Sequence, residues 1–269
     1  MELYDKNING LTFQTSHQLE QAGIPHGFTT RTGGVSTGIY NSLNLGLSRG
    51  DDPDLVRQNY GRVCDALGLD VTRLAFSSQV HKDNVRIVTT ADMGKGLDKT
   101  VDFEADGLIT DIPGMGLVVF GADCPTILLC DPVRRVAAAF HAGWRGTALG
   151  IADRVVSIMT HHYGSDPSDI LAAIGPSIGT CCFETDEDVP NAMTAAMGVA
   201  ALAFISNDEN GKFHVDLKGL NRLRLERMGL LAGHVELSPD CTMCRPDKYW
   251  SHRYTKGERG SQAALIALP

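Results

Sequence analysis

The chain has 269 residues, 43% of them hydrophobic, and a formal net charge of −8. That length supports a sizeable core, and the acidic balance without a basic block argues against nucleic acid or an anionic membrane as a partner. No apolar run reaches the roughly 18 residues that a membrane-spanning helix needs, and the opening MELYDKNING does not have the pattern of a secretory signal. We therefore expect a cytoplasmic protein whose seven scattered cysteines are reduced.

Residues 28–46, FTTRTGGVSTGIYNSLNLG, are rich in small and polar side chains and are predicted to form a loop. Small residues let backbone amides approach a ligand closely. In this loop Arg31 is a candidate for holding an anion, and Ser42 and Asn44 are candidates for hydrogen bonds to the same substrate. A solvated surface loop is the alternative interpretation.

Caps, breakers and hydrophobic periodicity predict strands and helices in loose alternation along the rest of the chain. A helix is predicted to begin at Pro53, after the N-cap residue Asp52, and to end at Gly68. Further helices are predicted at 147–162, 186–197 and 217–228, and strands at 73–78, 85–89, 105–110, 117–120, 126–130, 135–140, 170–174, 214–217, 234–237, 249–254 and 263–268. This order predicts a single α/β domain over residues 1–269, with helices packed on a mixed β-sheet and a metal site in loops at the sheet rim.

The most informative stretch is residues 121–146, in which two apolar runs are joined by Asp-Pro and two arginines. This pattern predicts a strand, a tight turn and a second strand. Cys124 lies just before the first strand and His141 just after the second, so pairing as a hairpin brings both to one edge of the sheet. A thiolate and an imidazole placed together can bind a metal or form a nucleophile–base pair.

His81 follows another predicted strand and is the candidate third member of this group. Two histidines and one cysteine form a three-ligand set, as in catalytic zinc sites, with a fourth position open to water whose pKa zinc lowers to about 7. The ligands lie 43 and 17 residues apart, a spacing that matches no compact zinc motif. A metal-free Cys–His nucleophile and a plain surface-turn role for His81 therefore stay open.

Other cysteines and histidines offer competing sites. Segment 234–244 holds H-x-E and C-x-x-C patterns that superficially resemble those of nucleobase deaminases, but the four residues between them leave no room for a second helix. Nine histidines without any H-x-H pair argue against multicopper chemistry. A structural zinc site and buried free thiols are the two interpretations of four further cysteines, Cys181, Cys182, Cys241 and Cys244.

Four motifs together resemble one family: QVH at 79–81, ADG at 105–107, ADC at 122–124 and HAGWRG at 141–146. That family is named variously laccase-like multicopper polyphenol oxidase, peptidoglycan editing factor and purine nucleoside phosphorylase. The segments FTTRTGGVSTGIYNSLNLG, IGPSIGTCCFE, CTMC and SHR resemble it too, so the resemblance covers the chain from Phe28 to Leu268.

The resemblance implies a single-domain α/β fold that binds zinc through His81, Cys124 and His141. It also implies activity on purine nucleosides, namely phosphorolysis of adenosine, inosine and methylthioadenosine, and deamination of adenosine. Arg31, the arginine of the TTR loop, is implied to lie at the pocket. Because the histidine count argues against a laccase site, zinc is the expected cofactor and copper the less favoured alternative.

The chain departs from the family pattern near its end. Where the family often has a second arginine after SHR, this chain has Tyr254, and Ser261 stands where a later motif has an arginine. This chain therefore lacks both arginines at the expected positions, and any role that they have in binding substrate or an anion is open for this protein.

The resulting hypothesis assigns catalysis to Cys124, His141 and Arg31, with a purine nucleoside and phosphate as substrates. Arg31 and Arg145 are the candidates for holding phosphate near ribose C1′, with a structural role in the GWRG turn as the alternative for Arg145. Asp123 is the candidate for orienting a ligand histidine.

Three further interpretations of the same residues stay open. They are a Cys–His hydrolase or amidase acting on cell-wall precursors, a polyphenol oxidase, and a non-catalytic interaction protein stabilised by zinc. The sequence ranks neither phosphorolysis against deamination nor one oligomeric state against another.

Overall fold

The computed structural model describes residues 1–269, which fold into fifteen β-strands and seven α-helices. The strands are β1 (Tyr4–Ile8), β2 (Leu11–Thr15), β3 (His26–Thr29), β4 (Leu74–Ala75), β5 (Val85–Ile87), β6 (Gly107–Thr110), β7 (Gly116–Gly121), β8 (Thr126–Asp131), β9 (Val136–His141), β10 (Leu171–Ile174), β11 (Glu184–Thr185), β12 (Ile205–Asn207), β13 (Phe213–Val215), β14 (Val235–Leu237) and β15 (Gln262–Ala267). The α-helices are α1 (His17–Gln21), α2 (Pro53–Leu67), α3 (Trp144–Leu149), α4 (Ile151–Tyr163), α5 (Asp188–Met197), α6 (Leu217–Arg227) and α7 (His252–Thr255). Short 3₁₀ helices lie at Gly38–Tyr40, Val71–Arg73, Thr90–Asp92, Pro167–Asp169, Gly198–Phe204 and Ala232–His234.

Two six-stranded mixed sheets form the centre of the molecule. The first has the order β1-β2-β3-β15-β7-β4, and its one parallel pair is β4 with β7. The second has the order β14-β10-β8-β9-β6-β5 and is parallel only at its two edges. A small antiparallel sheet, β11-β13-β12, lies apart from both. The prediction of an α/β fold with mixed pairing and packed helices is therefore confirmed, with the strands divided among three sheets.

Strand β8 is apolar along most of its length, without the alternation of apolar and polar residues typical of a strand with one exposed face. Leu128 and Cys130 belong to a buried cluster shared with the first sheet, whereas Ile127 and Leu129 pack in a different cluster with Val155 of α4. A strand covered on both faces needs apolar residues at every position. The hairpin that carries the candidate ligands is thus held inside the molecule on both sides.

The packing order of the layers is helix, sheet, sheet, helix. Helix α2 covers the outer face of the first sheet through Tyr60 and Val63, and α4 and α6 cover the outer face of the second through Val155 and Leu225. The buried hydroxyl of Tyr60 also donates a hydrogen bond of 2.7 Å to the carbonyl of Leu45. This bond attaches the polar loop at 28–46 to the helix layer.

One of the four predicted helices is divided into two in the structure. Helix α2 has the predicted bounds, since Asp52 caps it and Gly68 ends it in the left-handed conformation. The helix predicted at 147–162 is two helices, α3 and α4, because Gly150 between them has a φ of 85°. None of the helices combines the length and hydropathy that crossing a membrane requires.

The predicted strand at 249–254 is wrong. Tyr249 and Trp250 are buried, but they lie in a turn, and α7 follows with the side chain of Ser251 as its cap. The indole of Trp250 donates to the carbonyl of Leu43, so its burial comes from covering the 28–46 loop and not from a sheet. The strand predicted at 73–78 is present only as the short β4.

We expect Gly175→Ala to destabilise the fold, because a Cβ at this position would lie 2.2 Å from Cδ1 of the buried Phe28 ring. Overpacking of this kind costs about 1–3 kcal/mol. The matched control is Gly61→Ala in α2, where a Cβ meets nothing within 4 Å; it should stabilise the helix by about 0.5–1 kcal/mol. Urea unfolding midpoints measure both, and a wild-type midpoint for Gly175→Ala would contradict the packing described.

Candidate metal centre and cavity

The β8–β9 hairpin brings two of the predicted ligands to one edge of the second sheet. Thr126, the first residue of β8, pairs with His141, the last residue of β9, and Cys124 lies just before β8. His81 approaches from the loop that follows β4. The ligand atoms of His81, Cys124 and His141 all lie within 4.8 Å of one another. The structure therefore assembles the three residues that the sequence singles out as metal ligands.

Asp106, immediately before β6, holds this group in place. Its buried carboxylate accepts hydrogen bonds from the backbone N–H groups of Val80, His81 and Lys82, at 3.1, 3.0 and 2.9 Å. The same carboxylate lies 2.9 Å from Nδ1 of His141. The backbone carbonyl oxygen of Asp106 also accepts the backbone N–H of His141 at 2.7 Å. Because Nδ1 of His141 is engaged, Nε2 is the nitrogen left to bind a ligand.

The prediction that Asp123 orients a ligand histidine is wrong, and Asp106 has that role. Asp123 instead accepts a 2.6 Å hydrogen bond from the Thr242 hydroxyl and a 2.7 Å bond from the backbone N–H of Arg253. Asp123 thereby connects the loop ahead of α7, through Thr242, and α7 itself, through Arg253, to the edge of the sheet beside Cys124. The sequence contains a signal for Asp106, since ADG opens a predicted strand, but its partners at 80–82 are visible only in the fold.

Two non-glycine residues of the centre lie in the left-handed region of backbone space, His81 with a φ of 59° and Asp123 with a φ of 88°. Such conformations cost about 1–3 kcal/mol each and cluster at functional sites. A hydrogen bond from the His81 N–H to Asp106 holds His81 in this conformation, and one from the Thr242 hydroxyl holds Asp123.

Charge coupling within the group favours a thiolate and an imidazolium. Burial alone would raise the pKa of Cys124, but the neighbouring His141 and His81 lower it to about 6. Burial would likewise lower the pKa of His141, but Cys124 and Asp106 raise it to about 9. The hydrogen bond from His141 also keeps the pKa of Asp106 below its usual value, against the effect of its burial. A deprotonated sulfur is the form that binds a metal ion.

The donor set and the space beside it fit a bound metal ion. Two imidazole nitrogens and one thiolate are ligands that first-row metals accept, and three protein ligands leave a position open. Beside them is Gly143, where a Cβ would lie 3.0 Å from Sγ of Cys124 and 3.5 Å from Nε2 of His141. Any larger residue at 143 would crowd the ligand atoms.

A cavity of about 930 Å³ opens over this centre. Its volume lies at the upper end of the range for small-molecule pockets, about 300–1,000 Å³. His81, Cys124 and His141 are among the residues that line it. Its apolar residues other than Cys124, which we call the apolar wall, are Leu47, Val101, Phe120, Ala122, Trp144, Ile178, Phe183 and Leu217. The cavity therefore combines apolar surface with the candidate metal-binding groups.

Basic side chains line the same cavity. They are Arg49, Lys99, His252, Arg253 and Arg259. Arg259 is buried, and its guanidinium donates to the Ser261 hydroxyl at 2.9 Å, while its Nε has no hydrogen-bond partner. Burial and the nearby Arg49 lower the pKa of Arg259 to about 10. These residues are absent from the sequence-based candidates, although the basic run SHRYTKGER marks where three of them lie.

The other predicted substrate-binding residues, Arg31, Ser42, Asn44 and Arg145, do not line this cavity. The Arg31 guanidinium donates to the carbonyl of Pro246 at 2.8 Å and lies over the Trp250 ring. The Ser42 hydroxyl accepts the backbone N–H of Gly34, and the Asn44 side chain accepts those of Gly46 and Ser261. Arg145 is exposed and stacks on Trp144. Their substrate-binding roles stay predictions.

Comparison with known proteins places these features in a family. A profile described as "Multi-copper polyphenol oxidoreductase laccase" matches residues 25–269. The chain is 36% identical over 247 residues to "Purine nucleoside phosphorylase YlmD" of Geobacillus stearothermophilus, covering 91% of this chain and 90% of that protein. It is 38% identical over 246 residues to "Purine nucleoside phosphorylase" of Deinococcus radiodurans, with 91% and 90% covered. The crystal structure of YlmD from Geobacillus stearothermophilus superposes with a TM-score of 0.94 at 34% identity, covering 100% of this chain and 99% of that one.

The fold and the rim site thus define an α/β protein with a candidate Cys/His metal centre beneath a cavity. The chain belongs to the multi-copper polyphenol oxidoreductase laccase family, and the resemblance seen in its motifs is confirmed. Curated relatives in this family carry the name purine nucleoside phosphorylase, which supports an enzyme of that kind.

We expect Asp106→Asn to weaken metal binding by about 10–100-fold, the usual effect of removing a group that orients a ligand histidine. The amide keeps the shape but loses the charge opposite His141. Asp131→Asn is the matched control, because Asp131 is also buried and accepts backbone N–H groups, but at the turn of the hairpin. Competition with a coloured zinc chelator measures the affinity. Equal affinity in Asp106→Asn and wild type would contradict this role.

Proposed function

We propose that the protein is a zinc-dependent purine nucleoside phosphorylase that also deaminates adenosine. The observation that supports this most directly is a three-ligand Cys/His centre in the lining of a cavity that also holds three arginines. The names of the curated relatives point to the same class of substrate. Adenosine, inosine and methylthioadenosine are the proposed nucleosides.

His81, Cys124 and His141 are the proposed zinc ligands, and Asp106 holds two of them in position. When bound, zinc supplies a Lewis acid that polarises phosphate or activates water, the two chemistries that phosphorolysis and deamination require. Mixed imidazole and thiolate donors suit this ion, and the family resemblance also implies zinc. Copper is the alternative ion, less favoured because the chain has no H-x-H pair.

Phosphorolysis requires an anion beside ribose C1′, where a phosphate oxygen forms a bond as the bond to the purine breaks. Arg253 and Arg259 line the cavity with the ligands, and Arg49 adds a third positive charge. The buried, unpartnered Nε of Arg259 has a hydrogen bond to give to such an anion. We therefore assign phosphate binding first to Arg259 and Arg253, and keep Arg31 and Arg145 as the sequence-based candidates.

The apolar wall provides a surface for the purine and for the methylthio group of methylthioadenosine. Trp144 and Phe183 are aromatic members of this wall, and Ile178 and Leu217 contribute aliphatic surface. Burying aromatic rings and methyl groups stabilises a complex in proportion to the area removed from water. The base would then pack on the apolar residues and the phosphate on the arginines of the same cavity.

Liquid chromatography of adenosine incubated with the zinc-loaded protein, with and without phosphate, tests the proposal. Phosphorolysis yields adenine and ribose 1-phosphate only when phosphate is present, whereas deamination yields inosine and ammonia in either condition. We expect Cys124→Ala to lose zinc and to slow both reactions by at least ~100-fold, since the metal contributes several kcal/mol.

Retention of both zinc and adenosine turnover in Cys124→Ala would overturn this assignment. An activity that iodoacetamide abolishes and a chelator leaves unchanged would instead support the metal-free Cys–His alternative. That alternative draws on the lowered pKa of Cys124 beside His141.

We expect Arg259→Gln to raise the KM for phosphate by about 10–100-fold, because a hydrogen bond to a charged group contributes about 1.5–3 kcal/mol. Arg145→Gln removes an arginine outside the cavity and serves as the matched comparison. The measurement is the phosphate dependence of adenine release at saturating adenosine. A larger effect from Arg145→Gln than from Arg259→Gln would favour the sequence-based candidate.

A further inference from the structure

A second cluster of metal-binding side chains lies outside the catalytic centre. It consists of four sulfur atoms that all lie within 4.8 Å of one another, those of Cys181, Cys182, Cys241 and Cys244. The first two follow β10 in a glycine-rich turn, and the other two form a C-x-x-C turn ahead of α7. The proposed phosphorolysis makes no use of them.

The separations between the sulfur atoms match a shared ion better than a disulfide. Sγ of Cys244 lies 3.5 Å from Sγ of Cys181 and 3.4 Å from Sγ of Cys182. A disulfide would require about 2.05 Å. Around zinc, with Zn–S distances of about 2.3 Å, the edges of a regular tetrahedron of sulfurs measure about 3.8 Å.

The backbone around the cluster is arranged to approach these sulfurs. The N–H of Gly179 donates to Sγ of Cys241 at 3.2 Å, a bond of the kind that stabilises a thiolate ligand. Ser177 and Cys241 form an isolated parallel β-bridge, in which the backbone carbonyl of Ser177 accepts the N–H of Thr242 at 3.0 Å. A Cβ at 179 would lie 3.2 Å from Cβ of Cys241 and 3.3 Å from Sγ of Cys181, so a larger residue would crowd the cysteines.

A buried positive charge lies beside the segment that leads into Cys241. Four thiolates around one divalent ion leave a net charge of about −2. The buried ammonium of Lys218 donates to the carbonyls of Ser238 and Asp240 at 2.7 and 2.9 Å, directly before Cys241. Cys241 and Cys181 are among the groups whose negative charge acts on this ammonium, together with the carboxylates of Asp216 and Asp240.

We propose that the four cysteines form a structural tetrathiolate zinc site that fastens two loops of the cavity wall. One loop carries Ile178 and Phe183, which line the cavity, and the other carries Thr242, which bonds Asp123 beside the catalytic Cys124. Four protein ligands close this site, in contrast to the open catalytic centre. The chain then holds two zinc ions of different kinds, one for chemistry and one for the loops.

Counting zinc in the reduced, purified full-length protein tests the proposal. We expect about two ions per chain in wild type, and about one both in Cys181→Ser/Cys244→Ser and in Cys124→Ala. Cys64→Ala is the matched control, since this buried cysteine lies on α2 and should leave both ions in place. One ion per chain in wild type, lost only in Cys124→Ala, would overturn the second site.

Alkylation of the folded wild-type protein keeps the proposal testable if the double variant does not fold. Cys181 and Cys244 are exposed, so free thiols there would react quickly. We expect both to be protected until a zinc chelator is added, and then to be modified at least ~10-fold faster. Equal rates with and without chelator, or a disulfide linking any two of the four cysteines, would overturn the site. Neither measurement uses nucleoside turnover. The count of two rests on the proposed catalytic zinc, but a single ion that is kept in Cys124→Ala and lost in Cys181→Ser/Cys244→Ser would support the four-cysteine site alone, so the two proposals can fail separately.

Discussion

The carboxylate of Asp106 is the interaction on which the candidate centre depends. One buried side chain binds the amides of three consecutive residues in the loop after β4 and the imidazole of His141 at the end of β9. These contacts join segments from different sheets, and they determine where His81 and His141 lie relative to each other. The burial that makes an isolated carboxylate costly is offset by these hydrogen bonds, which also keep the pKa of Asp106 low.

The rigidity of the third ligand has a different origin. Cys124 precedes a strand whose residues are buried on both faces, between the other sheet and α4. Close packing on two sides leaves such a hairpin little freedom to shift, so its ends make precise supports for side chains.

The sequence predicts what is local and periodic. The caps at Asp52 and Gly68 define α2, and the predicted hairpin at 121–146 forms, with Cys124 and His141 at one edge of the sheet. It does not reveal Asp106 or Arg259, because their contacts join distant segments and leave no periodic trace. Residues 249–254 show a second limit, since aromatic residues buried under a loop have the same apolar pattern as a short strand.

The end of the chain explains how a departure from the family motif can leave the cavity basic. Ser261 stands where the family pattern has an arginine, and its short side chain accepts a hydrogen bond from the guanidinium of Arg259. A guanidinium thus lies beside Ser261, and the side chain of Asn44 accepts the backbone N–H of the same residue. Comparing motifs position by position would report a lost cation, whereas the fold retains one beside the same residue.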